Sequence, residues 1–137
     1  MSDRGAVRPW YVFAFGSVLV AVALFERVWG FRSGRQYVLC HASAALDHGT
    51  FLALGLVAGA FGVACAGAAA GSLGGRPARP LFLLVCMLAV LGLVVAADRV
   101  DAGGERRAAE LASAPLDERS CDYAPQVYSA TPGWFSW

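Results

Sequence analysis

Residues 50–70 read TFLALGLVAGAFGVACAGAAA, twenty-one positions without a charge. At a rise of 1.5 Å per residue, a helix of that length covers about 30 Å, the thickness of a bilayer's hydrocarbon core. A helix on the surface of a soluble domain needs a charged or polar face, and this stretch has none to offer. It reads as a transmembrane span, and the neighbouring sequence is read outward from it. Residues 71–80, GSLGGRPARP, combine glycine, proline and arginine into a turn signal. Residues 81–97, LFLLVCMLAVLGLVVAA, are again uncharged and end at Asp98 and Arg99. The two spans are expected to form an antiparallel helical hairpin.

Towards the N-terminus, residues 10–25 read WYVFAFGSVLVAVALF, an uncharged run slightly short of the ~20 residues that span a bilayer. An ion pair between Glu26 and Arg27, with Trp29 in the headgroup layer, gives this span a plausible end. A second reading competes with it. A basic start, a short apolar run and small residues at Ala21 and Ala23 also describe a cleaved secretory signal.

Composition agrees with a membrane protein. The 137 residues are 58% hydrophobic and 15% charged, against roughly 45–50% and about 25% in soluble domains. The charges lie between and after the apolar blocks instead of being interleaved with them. The expected fold class is all-α, an integral membrane bundle of three transmembrane helices. Residues 1–97 form the membrane domain, with spans near 10–25, 50–70 and 81–97, and residues 98–137 form an extramembrane tail, polar and then aromatic. A net charge of +1 points to no nucleic-acid partner. The expected partners are the lipid bilayer and other membrane proteins or a second copy.

In the tail, residues 105–114 are expected to form a short exposed helix stopped by Pro115. Tyr128, Trp134, Phe135 and Trp137 then make an aromatic end suited to docking at a bilayer interface or on a partner, with a disordered tail as the alternative. Arginine counts decide the orientation poorly, because Arg27, Arg32 and Arg35 offset Arg4, Arg8, Arg76 and Arg79. Cysteine placement says more. Cys40 and Cys121 lie in the first loop and the tail, which share one side of the membrane in either orientation. On an oxidising side they are candidates for a disulfide; the alternative is two unrelated thiols.

No catalytic residues, cofactor site or metal site are read from the sequence. His41, Asp47 and His48, with Cys40 beside them, match no established zinc spacing, and no nucleophile–base pair stands out. The span interiors hold no ionisable residue, which counts against a pump or proton relay. Within the second span, Gly55–Gly59 and Gly67–Gly71 have the four-residue spacing that lets helix backbones approach. They are expected to serve packing inside the chain's own bundle more than a dedicated oligomer face.

The layout resembles the plant tetraspan family that includes the "modifying wall lignin" and vascular-complexity proteins, named for a domain of unknown function. Four stretches carry the resemblance: Leu24–Phe25–Glu26 closing the first span; Tyr37 to Cys40; Leu54–Gly55–Leu56 with Ala58, before a short basic turn; and Cys121 and Tyr123 followed by Pro132–Gly133–Trp134–Phe135. In that family a fourth span follows the last element, whereas this sequence ends at Trp137, so the resemblance implies a truncated or divergent member. It also implies a non-enzymatic protein of the endoplasmic reticulum or plasma membrane, acting in cell-wall, vascular or developmental processes, with the first loop and tail in the lumen. The expected role is a scaffold or regulatory component. Alternatives are an accessory subunit of a respiratory or photosynthetic complex, or a membrane-perturbing small protein.

Overall fold

A computed structural model describes residues 8–73, 79–115, 120–121, 124–131 and 133. Three helices dominate: α1 (Pro9–Ser33), α2 (Ala44–Leu73) and α3 (Pro80–Ala112). Each is long and apolar enough to cross a membrane. Two short strands, β1 (Gln36–Leu39) and β2 (Gln126–Ser129), pair antiparallel. The chain is therefore an all-α membrane bundle carrying a small two-stranded sheet, which the sequence did not lead us to expect.

All three helices outrun the expected spans. α1 starts on Pro9, whose missing N–H is no loss at a helix start, and it passes through Glu26 and Arg27 to Ser33. The largest departure is α3. Asp98 and Arg99 do not end it, and the short helix expected over 105–114 is the continuation of the same rod. Nothing between 98 and 112 forbids helix. Pro115 bars further extension, and the Ser113 N–H closes the end on the Ala109 and Glu110 carbonyls.

The core is a narrow seam. α2 contributes Ala53, Val57, Ala60 and Ala64, while α3 contributes Val90, Val94 and Ala97, and α1 adds Val20. A second cluster joins Val12, Leu83 and Cys86. α1 and α3 run parallel in a fixed register: Val12 meets Cys86, Gly16 meets Val90 and Arg27 meets Asp101, partners 74 residues apart in sequence. Most large apolar side chains face outward, with Phe51, Leu73 and Leu81 at least 70% exposed. In water such a surface would drive aggregation; against lipid tails it costs nothing.

Aromatic side chains flank the apolar stretch of α1. Trp10 with Tyr11, and Phe25 with Trp29, form aromatic pairs near the two ends of α1. Trp10 and Trp29 lie about 28 Å apart along the helix axis at 1.5 Å per residue, close to the hydrocarbon thickness. α2 and α3, at 30 and 33 residues, are about 45 and 50 Å long. They are joined by a short connection, so their surplus length projects on one side. There it supports β1, β2 and the segments around them, a cap standing on the bundle.

Candidate functional site

Chemistry-bearing side chains converge where the cap meets the bundle. Arg27 of α1 donates from Nη2 to Oδ2 of Asp101 on α3, and from Nη1 to Oδ1 at 3.4 Å. Both side chains are only 10% exposed. Arg27 Nε is buried with no hydrogen-bond partner among the described residues. The expected Glu26–Arg27 pair is corrected here. Successive helix residues do not face each other, and Arg27 turns inward to α3. Glu26 and Asp98 join the pair around a cleft of about 20 Å³, with Thr131 from the tail at its edge. That volume suits about one water. Three carboxylates against one guanidinium give the cleft an acidic surplus.

The cap is pinned by links between segments distant in sequence. Cys40 and Cys121 form a disulfide across 81 residues, one of the two alternatives left open by the sequence. β1 and β2 place Tyr37 opposite Tyr128 and Leu39 opposite Gln126. The Gln126 side chain is a clamp: Oε1 accepts from the Ser43 N–H at 2.7 Å, and Nε2 donates to Asp47 Oδ1 at 2.8 Å. Glu105 of α3 accepts from the Tyr37 hydroxyl at 3.1 Å and pairs with Arg35 at 3.5 Å. Beneath the sheet, Leu39, Leu46 and Ala108 are buried, with Tyr128 packed against them. Burial, with Asp101 and Glu105 nearby, pushes the Tyr128 phenol above its ordinary value, so it stays protonated.

No protein-family model, curated protein or solved structure matches the chain.

The other sequence-derived candidates fall as follows. Gly67 is the packing glycine of α2, because a Cβ there would lie 3.1–3.3 Å from Cys86 and Val12. Gly55 and Gly59 do not pack inside the bundle. Both face outward, a Cβ on Gly55 would meet nothing within 4 Å, and one on Gly59 would just reach Leu93. Gly71 is partly buried. Tyr128 belongs to the cap's own packing, and Trp134, Phe135 and Trp137 lie outside the described residues. Asp47 is held by Gln126, while His41 and His48 are exposed. Among the described residues no three His, Cys, Asp or Glu side chains are placed to hold a metal.

Sequence reading missed Gly16, Asp101 and Gln126. Asp101 lies beyond the third apolar run, where a charge is unremarkable. Gly16 sits in an apolar run where one glycine carries no signal, yet a Cβ there would collide with the Ala64 Cβ.

The neighbouring glycines Gly103 and Gly104 of α3 test how the cap is seated. A Cβ on Gly103 meets nothing within 4 Å, whereas one on Gly104 would strike the Tyr128 hydroxyl. Gly103→Ala is expected to stabilise α3 by about 0.5–1 kcal/mol through helix propensity. Gly104→Ala gains the same propensity but lifts Tyr128 off the helix, so it should loosen the cap. Amide exchange of β2 reads the contrast. Equal behaviour of the two variants would remove Gly104 as the seat of Tyr128.

Proposed function

We propose that the chain is a non-enzymatic multi-pass scaffold or regulatory component of the endoplasmic reticulum or plasma membrane. What carries this reading is the use made of its polar groups. Arg27, Asp101, Asp47, Glu105 and Gln126 are engaged in holding segments of the chain to each other. A cap fixed in this way serves presentation of a surface better than turnover of a substrate. The disulfide supports placing the cap in the lumen or outside the cell, since such bonds persist in oxidising compartments. The start of α1 at Pro9, the end of α2 at Leu73 and the start of α3 at Pro80 then face the cytoplasm. Retention of α1 as a signal anchor is supported by Val12, Val20 and Arg27, all buried against α2 or α3. The resemblance to the plant tetraspan family would give the scaffold a role in wall, vascular or developmental processes.

Extraction from native membranes in mild detergent tests the reading. The full chain is expected to run as a complex, with itself or another membrane protein, and its intact mass to include α1. A chain that runs only as an isolated monomer in detergent and in nanodiscs would overturn the scaffold role.

A further inference from the structure

We propose that the Cys40–Cys121 disulfide is a thiol-operated latch, which holds the β2 strap over its apolar seat at the edge of the rim cleft and releases it on reduction while the three helices stay packed. The crosslink lies outside the helices. Cys40 directly follows Leu39, the last residue of β1, and Leu39 pairs with Gln126, the first of β2. The bond thus joins the β1–α2 connection to the α3–β2 connection at one end of the ladder. Both cysteines are partly exposed, so a thiolate can reach them.

Beneath the strap lies the apolar seat of Leu39, Leu46 and Ala108, covered by Tyr128. Just past the strap, Thr131 borders the cleft beside the Arg27–Asp101 pair. Buried Ala130 fixes the strap between them by donating its N–H to the Arg35 carbonyl at 2.8 Å. A sheet of two four-residue strands is marginal in water without further support. The disulfide supplies that support by keeping β2 close to β1. The helix seam has no such dependence, because its two buried clusters contain no residue of β1 or β2.

Opening needs a dithiol reductant, such as a protein dithiol or dithiothreitol. Its thiolate attacks one cystine sulfur, the S–S bond breaks, and the departing cysteine thiolate takes up a proton. The second thiol of the reductant then resolves the mixed disulfide. The cystine gains two electrons and two protons, and the dithiol becomes a disulfide. The latch rests on the cap facing a compartment where such exchange occurs, and it stands whether or not the scaffold reading holds.

Hydrogen exchange of the full chain in nanodiscs, with and without dithiothreitol, is the test. Amides of 36–39 and 126–130 are expected to exchange at least tenfold faster after reduction, and to recover on reoxidation. Amides of 53–64 and 83–97 are expected to be unchanged. The Cys40→Ser/Cys121→Ser variant should match the reduced protein without reductant; if it fails to fold, the reduced wild type carries the test. Strap exchange that ignores reduction overturns the latch. So does an equal rise in the helices, which would make the bond a staple of the whole fold.

Discussion

Asp101→Ala is expected to destabilise the bundle by roughly 3 kcal/mol, because it removes the carboxylate hydrogen-bonded to the buried Arg27 guanidinium and leaves only Glu26 and Asp98 around the cleft as counter-charges. Both partners are nine-tenths buried, and Arg27 Nε already lacks a partner among the described residues. The single variant therefore takes the hydrogen-bonded partner from a cation at the edge of the hydrocarbon, where α1 must shift against α3 to bring it to Asp98 or to water. A double variant, Arg27→Met with Asp101→Leu, removes both charges and keeps apolar volume. Buried pairs replaced in this way are often neutral or stabilising, so it should recover most of the loss. Reversible unfolding in bicelles measures both. A cost under about 1 kcal/mol for Asp101→Ala is the range of exposed pairs and would show that water reaches the pair freely.

Gly16→Leu is expected to part α1 from α2. An added Cβ at position 16 falls on the Ala64 Cβ, with Val90 close behind at 3.7 Å. Neither neighbour is a flexible side chain, so the helices must separate. Overpacking of this kind costs about 1–3 kcal/mol. In a membrane the loss bears directly on association, because helices there are held by packing and not by exclusion from water. Gly62→Leu is the matched control, since a Cβ at 62 meets nothing within 4 Å. Energy transfer between probes on α1 and α2 should fall for the first variant and hold for the second. Gly16→Ala combined with Ala64→Gly should restore contact, and a failure to do so would place the fault elsewhere in α1.

The spans were readable because three charge-free runs leave a helix no aqueous face. Their ends were not. Beyond residue 97 the bilayer stops selecting apolar side chains, so DRVDAGGERRAAELA looks like a polar tail although its backbone keeps the helical path of α3. The strands QYVL and QVYS are four residues each and lie some ninety residues apart, too short and too distant to suggest a pair. Glycine spacing located α2 but not its packing face. The buried line runs through Leu46, Ala53, Val57, Ala60, Ala64 and Gly67. At about 100° per residue, Gly55 and Gly59 fall on the side opposite Val57. Cys40 and Cys121, which bond, were legible as candidates because two spans separate them, which puts both on one side of the membrane in either orientation. The rim cleft could not be foreseen, because it depends on the parallel register of α1 and α3.

That register also sets an order of events during synthesis. Arg27 and Asp101 are separated by 74 residues, and a ribosome adding about 5–20 residues per second needs roughly 4–15 s to cover that distance. Throughout the interval α1 lacks the α3 carboxylate that its guanidinium bonds, and the apolar run 50–70 of α2 carries no charge to offer it. The first helix made thus waits for the third to complete its ion pair, and the insertion machinery must hold or shield it until then.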